Sequence, residues 1–131
     1  MIDPDFLTVD DLIRVHEMEI EKYGGLDGLR DKALLESAIG MPQASFGGAF
    51  LCEDLFTMAA AYAYHIAQNQ PFLDGNKRTG LAAALLFLEF NGTVIEDPAG
   101  CLYDAMIAVS ERRLDKAGLA VLLRDLARSV H

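Results

Sequence analysis

A run of polar residues in the middle of the chain combines a carboxylate, an amide and two cations at the predicted start of a helix. Residues 70–79 read Gln-Pro-Phe-Leu-Asp-Gly-Asn-Lys-Arg-Thr. The amino end of a helix favours an anion, because its first backbone amides are free and the helix dipole is positive there. Lys77 and Arg78 add positive charge, and Gly75 allows a ligand to approach the backbone closely. The run therefore predicts a phosphate-binding loop.

Three other side chains of this run have predicted roles. Asp74 is negative in a loop that otherwise attracts anions, which is explained if Mg²⁺ joins its carboxylate to a nucleotide's phosphates. Asn76 is predicted either to cap the helix or to hold a phosphate oxygen, and Phe72 to anchor the loop in the core. A purely structural alternative stays open, because Asp, Asn and Gly are common at helix starts as caps. The phosphate loop of nucleotide hydrolases is excluded, since its preceding strand and its first glycine are missing.

The elements that must position this run are predicted to be helices. Thr8-Val9-Asp10-Asp11 has the form of a capping box, and the helix that it starts should end before Gly24. The other five predicted helices, each with a start or stop signal, run from Asp31 to about Ile39, from Asp54 to about Asn69, from Asn76 to Asn91, from Asp97-Pro98 onward and from Asp115 onward.

The fold class predicted from these elements is all-α, a compact helical bundle forming one domain over residues 1–131. Residues 81–88 are apolar on every face, so the helix from Asn76 to Asn91 is predicted to be buried on all sides at the centre. Residues 24–28 and 41–53 are rich in glycine or proline and are predicted to be irregular. Residues 93–95 are expected to form a short extended piece.

Composition limits the class of protein further. The 131 residues are 52% hydrophobic, with a net charge of −9, so we expect a folded protein that does not bind nucleic acid directly. The amino terminus lacks the pattern of a signal peptide and the apolar stretches are too short for a bilayer, which favours a cytoplasmic protein without membrane contact. Cys52 and Cys101 match no metal-ligand spacing and are expected to be reduced, mostly buried thiols.

The run at residues 70–79 resembles the active-site motif of the Fic family. That motif reads His, any residue, Phe, any residue, Asp or Glu, a small residue, Asn, Gly or Lys, and Arg. The positions in register are Phe72, Asp74, Gly75, Asn76, Lys77 and Arg78. Lys77, with Thr79 following, resembles the Doc branch of toxin–antitoxin toxins, as do residues 23–31 and 81–92. The similarity covers nearly the whole chain.

The resemblance implies the helical Fic fold and the transfer of part of a nucleotide to a protein hydroxyl. Doc toxins phosphorylate a threonine of elongation factor Tu and so stop translation, with ATP or another nucleoside triphosphate and Mg²⁺. By this resemblance Asp74 helps to hold Mg²⁺, while Gly75, Asn76, Lys77 and Arg78 cradle the phosphates and stabilise developing charge. The flap that aligns the target segment corresponds to Gly24, Gly25, Leu26, Asp27 and Gly28.

The resemblance also implies a partner. Many Fic proteins carry an inhibitory helix in which Glu is followed by Gly or Asn. No Glu of this chain precedes either residue. We therefore expect inhibition by a separate cognate antitoxin, bound through a helical segment in a groove beside the active site.

The histidine position of the motif is occupied by Gln70. In the family this histidine takes the proton from the target hydroxyl, whereas a glutamine amide cannot act as a base near neutral pH. The chain is therefore predicted to bind its ligands but to turn over little, with Gln70, Asp74, Lys77 and Arg78 as its catalytic set. The sequence does not distinguish an engineered replacement from a natural inactive relative. His16 and His65 lie outside the motif register and are predicted to be half-buried helix residues.

Two alternatives to phosphate transfer stay open. One is transfer of AMP, the activity of most Fic proteins, although Lys77 would crowd the second phosphate site that this reaction uses. The other is a non-catalytic module that binds nucleotide or antitoxin, for which Gln70 is the main argument.

Overall fold

The computed structural model describes residues 3–129 as a helical bundle with two small antiparallel strand pairs. The helices are α1 (Val9–Tyr23), α2 (Lys32–Gly40), α3 (Leu55–Asn69), α4 (Asn76–Phe90), α5 (Cys101–Ser110) and α6 (Lys116–Asp125). The strands are β1 (Ser45–Phe46), β2 (Ala49–Phe50), β3 (Thr93–Ile95) and β4 (Ala127–Ser129). The predicted all-α class is confirmed. In the part of the chain that is described, none of the helices has the length and apolar character needed to cross a membrane.

Capping hydrogen bonds confirm the predicted starts of α1, α2, α3 and α6, whereas the helix predicted from Asp97-Pro98 begins later, at Cys101. Thr8 Oγ1 accepts from the Asp11 amide at 3.1 Å, and Asp11 Oδ2 accepts from the Thr8 amide at 2.8 Å, which completes the capping box. Asp54 caps α3 by accepting from the Thr57 amide, and Asp115 caps α6 in the same way. Each bond satisfies an amide that would have no partner within its helix.

The centre of the bundle is α3, which contacts α2, α4, α5 and α6. Small alanines let the neighbouring helices approach it closely. Its buried residues are Met58, Ala59, Ala60, Ala61, Tyr62, Ala63, Ile66 and Ala67. The other central helix is α4, with contacts to α1, α3 and α5, but the prediction that it is buried on all sides is wrong. Leu81, Ala82 and Leu85 of α4 are only half-buried, because this helix packs on α3 with one face and is partly uncovered on another.

Two further differences concern short segments. Residues 45–50 form a β1–β2 hairpin in a region predicted to be irregular, with Gly47 and Gly48 at positive φ in its turn. The extended piece at residues 93–95 does form, and it pairs antiparallel with β4. Strands of two or three residues are too short to give a detectable alternation of polar and apolar residues.

Both cysteines are free, but Cys101 is exposed and Cys52 only partly buried, which corrects the prediction of mostly buried thiols.

Candidate active site

The start of α4 is an open helix terminus that faces a cavity of about 250 Å³. Gly75 precedes the helix in the left-handed conformation, at φ 74°, and no side chain caps the helix start. The first amides of α4 are therefore available to an anion. All six predicted catalytic and phosphate-binding residues line this one cavity. They are Gln70, Asp74, Gly75, Asn76, Lys77 and Arg78.

Asn76 does not cap α4, and its side chain binds the motif loop (residues 70–75). Its Oδ1 accepts from the Phe72 amide at 3.0 Å, and its Nδ2 donates to the Phe72 carbonyl oxygen at 3.1 Å. Phe72 itself is buried at 1% exposure. The Asn76 side chain therefore fixes the motif loop to the start of α4 instead of capping the helix, and both its polar groups are already engaged.

The carboxylate of Asp74 lines the cavity and lies next to the flap (residues 24–28). Its Oδ1 accepts from the Gly75 amide at 2.9 Å, and its Oδ2 accepts from the Leu26 amide at 3.2 Å. Across residues 3–129, no three His, Cys, Asp or Glu side chains are grouped to hold a metal ion. Both carboxylate oxygens retain further acceptor capacity, and Mg²⁺ is commonly bound through one or two carboxylates together with substrate phosphates. The donor set fits Mg²⁺ delivered with a nucleotide.

Gln70 ends α3 in the left-handed conformation, with φ 48° and ψ 57°. Its backbone is fixed by Arg30, which donates from Nε to the Gln70 carbonyl oxygen at 2.7 Å and from a terminal nitrogen to the Asn69 carbonyl oxygen at 3.0 Å. A cation at these carbonyls also complements the negative end of the α3 dipole. Arg30 could not be identified from the sequence, because no local pattern indicates a contact with a residue 40 positions away.

The flap runs beside the motif loop. The Leu73 amide donates to the Gly28 carbonyl oxygen at 3.0 Å, and Leu29 and Phe72 form an antiparallel β-bridge. Side chains in the flap are small or exposed, so the backbone of the flap dominates this contact. The structure thus brings the predicted flap and the predicted phosphate-binding loop together.

Gly25 is the flap residue with the least space for a side chain. A Cβ at Gly25 would lie 2.7 Å from Asp74 Oδ2, whereas a Cβ at Gly24 would meet nothing within 4 Å, and both residues have positive φ. We expect Gly25→Ala to displace the flap from Asp74 and break the hydrogen bond from the Leu26 amide to its carboxylate, so that this amide exchanges roughly tenfold faster, equivalent to about 1.4 kcal/mol. Gly24→Ala shares the backbone strain without the clash and should change the exchange rate of this amide by less than about threefold. Amide hydrogen exchange of both variants would check this, and equal increases would contradict it.

Arg78 is held between two aromatic rings. Its guanidinium carbon lies 4.5 Å from the centroid of the Tyr23 ring and 5.0 Å from that of Tyr103. Both distances lie within the range of cation–π attraction. Tyr103 and Ser110 of α5 also line the cavity. Neither could be identified from the sequence, because a full helix and a strand separate α5 from the motif.

Within residues 3–129, neither His16 nor His65 replaces the histidine that is absent at position 70. His16 is 2% exposed, so the prediction that it is half-buried is wrong. His65 is half-buried as predicted, and the Lys116 ammonium donates to its Nε2 at 3.0 Å. Burial, together with the Lys116 charge, lowers the pKa of His65 to about 4.

This low pKa of His65 predicts how stability depends on pH. The pKa is about 4 in the folded protein and has an ordinary value of 6.5, so between these values the unfolded chain binds more protons. The free energy of unfolding should therefore fall as the pH drops through that window, by about 1–2 kcal/mol once the partial exposure of the ring is allowed for. Urea unfolding at pH 7 and pH 4.5 would measure this. His65→Gln, which keeps an acceptor for Lys116, should lose less stability; an identical loss would contradict the assignment.

The helical fold and this cavity define a class of protein, an all-helical protein with a candidate nucleotide-phosphate site at the start of a helix. A model of the Fic/DOC family matches residues 6–88. Over 120 residues the chain is 35% identical to "Protein kinase doc" of Escherichia phage P1, an alignment that covers 92% of this chain and 94% of the relative. Over 107 residues it is 36% identical to "Toxin Doc" of Mycolicibacterium smegmatis, covering 80% and 82% respectively. The chain belongs to the Fic/Doc family.

Proposed function

We propose that this chain is the toxin of a toxin–antitoxin module, with a phosphotransferase site for a threonine of elongation factor Tu, whose phosphorylation would arrest translation, and that Gln70 leaves this site with little turnover. The observation that carries the proposal is the cavity at the start of α4, where Gln70, Asp74 and the two cations meet free helix amides. Relatives named as a protein kinase and as a toxin, similar over most of the chain, support it.

The charges of the cavity suit the transfer of a phosphoryl group. The α4 amides, Lys77 and Arg78 would bind the phosphates and stabilise negative charge as it develops on the transferred group. Arg78 is well placed for this, because its tyrosine contacts restrict its motion without consuming its hydrogen-bond donors. Asp74 would hold Mg²⁺, whose charge offsets that of the phosphates.

The transfer itself requires a proton acceptor. The threonine hydroxyl oxygen forms a bond to the γ-phosphorus, the bond from that phosphorus to the β-bridging oxygen breaks, and the nucleoside diphosphate leaves. The hydroxyl proton must go to a base. Gln70 cannot accept it near neutral pH, so the proton passes to solvent and turnover is slow. We therefore propose that this chain binds nucleotide but is strongly impaired as an enzyme.

A labelling experiment tests the proposal and separates it from AMP transfer. Gln70→His protein would be incubated with elongation factor Tu and with ATP that carries the label on either the γ- or the α-phosphate. We expect label on the factor from γ-labelled ATP alone, and on threonine. Label from α-labelled ATP would assign AMP transfer instead. No label from either, with measurable binding of Mg·ATP, would assign a non-catalytic binding module.

An apolar groove supports the proposed antitoxin partner. The half-buried face of α4 opens into a cavity of about 440 Å³ beside the active site, lined by residues that include Tyr23, Arg78, Leu81, Ala82, Leu85 and Tyr103. Arg78 and Tyr103 line this cavity and the active-site cavity alike. An amphipathic helix of the antitoxin would bury its apolar side here and restrain Arg78. Inhibition would then act directly on a phosphate-binding residue.

A further inference from the structure

His16 is a buried polar residue of α1 that contacts both the motif loop and the flap. Its ring lies parallel to the Phe72 ring, with 3.9 Å between the centroids and 4° between the planes. Its Nε2 is 2.8 Å from the Asp74 carbonyl oxygen, and its Nδ1 is 3.6 Å from Asp27 Oδ1. One side chain therefore contacts the predicted metal ligand, the loop's aromatic anchor and the flap.

The bond to Asp74 defines the protonation of the ring. A carbonyl oxygen can only accept a hydrogen bond, so Nε2 must carry the hydrogen and donate it. The other ring nitrogen, Nδ1, lies on the side of Asp27. Neither nitrogen is exposed to a target hydroxyl, since the side chain is 2% exposed. His16 is thus not the missing proton acceptor.

Two hydrogen bonds of Asp74 link His16 to the flap. Its carbonyl oxygen accepts from His16, while its carboxylate accepts from the Leu26 amide of the flap at 3.2 Å. A rotation of the Asp74 backbone would therefore move the carboxylate away from Leu26. The first residue of the flap is held to α1 by the Gly24 amide, which donates to the Ile20 carbonyl oxygen at 2.7 Å. Its last residue is held to the motif loop by the Leu73 amide, which donates to the Gly28 carbonyl oxygen. Between these two ends, the Asp74 carboxylate binds the flap at Leu26.

We infer that His16 is a positioning residue whose Nε2–H bond to the Asp74 carbonyl orients the Asp74 carboxylate and thereby holds the flap against the motif loop. The restraint on the flap is a property of the free protein. Only its consequence for nucleotide affinity rests on the proposed function.

Two substitutions separate the hydrogen bond from the packing of the ring. His16→Gln keeps an N–H donor at a similar reach and loses the ring, whereas His16→Phe keeps the ring against Phe72 and loses the donor. Amide hydrogen exchange of the ligand-free proteins would be followed at Leu26 and in α3. In His16→Phe the Leu26 amide should exchange on the order of fivefold faster, as expected for the loss of one hydrogen bond, and in His16→Gln about as in the unchanged protein. Exchange in α3 should stay the same in both.

Two results for these variants would overturn the positioning role of His16. Unchanged exchange at Leu26 in His16→Phe would overturn it, and so would equal acceleration in both variants, which would assign the effect to ring packing. If His16→Phe does not fold, long-range ¹H–¹⁵N spectra of the unchanged protein decide instead, because a hydrogen on Nδ1 and none on Nε2 would overturn the assigned bond. Titration with Mg·ATP should show about fivefold weaker binding in His16→Phe alone. No binding by any of the three proteins would overturn the proposed function, and Leu26 exchange would still decide the role of His16.

Discussion

Replacing Gln70 with histidine is expected to raise the rate of phosphate transfer to elongation factor Tu by roughly 10²–10⁴-fold, the usual contribution of general-base catalysis. This corresponds to about 3–5 kcal/mol of activation free energy. The gain should appear in the rate and not in the affinity for Mg·ATP, because the residues proposed to bind phosphate are unchanged and the side chain at position 70 already lines their cavity. The Arg30 clamp on the backbone of residue 70 should hold either side chain in the same place.

The matched control for this prediction is Gln70→Asn, which changes the side chain without supplying a base. Single-turnover transfer from γ-labelled ATP would be measured for the unchanged chain and both variants. The histidine variant alone should also arrest growth when expressed without an antitoxin. Its rate should rise with pH as the imidazole loses its proton, near the ordinary histidine range. If the histidine variant is no faster than the asparagine variant, the enzyme interpretation of the loop fails.

The helix boundaries and the chemistry of the motif loop could be predicted because both depend on residues close in sequence. The capping box at Thr8 involves residues three positions apart, and Asp54 caps its helix across the same spacing. Likewise, the cavity residues from Asp74 to Arg78 are consecutive, so the start of a single helix brings them together. Local hydrogen bonding and local steric preference determine such features.

The parts that could not be predicted depend on contacts between distant segments. Arg30 reaches Gln70 across 40 positions, and His16 reaches Asp74 across 58. Contacts between distant segments also explain why the burial of α4 on all sides was wrongly predicted. Its apolar sequence is compatible with burial on every face, but the number of neighbours a helix has is decided by the packing of the whole bundle. The capping role predicted for Asn76 was wrong because an amide side chain at a helix start looks the same in sequence whether it caps the helix or binds the preceding loop.

Gly80 of α4 packs against the backbone of Ala63 in α3, and Gly80→Ala is expected to lower the free energy of unfolding by about 1–3 kcal/mol. A Cβ at this position would lie 2.8 Å from the Ala63 carbonyl oxygen and 3.4 Å from the Ala63 Cα. These are backbone atoms of the most buried helix, so they cannot rotate away as a side chain would. The intrinsic helix preference of alanine over glycine, about 0.5–1 kcal/mol, acts in the opposite direction and is included in this range.

Gly40→Ala provides the control, because Gly40 is the last residue of α2 and a Cβ there would meet nothing within 4 Å. That variant should be neutral or more stable by up to about 1 kcal/mol. Urea unfolding of both variants measures the difference, and similar changes in the two would show that the α3–α4 contact is not tight. The contact also bears on function. Gln70 follows the last residue of α3 and Lys77 lies in the first turn of α4, so helices forced apart at Gly80 should also separate the two sides of the active-site cavity. Gly80→Ala should therefore weaken Mg·ATP binding as well, and Gly40→Ala should not.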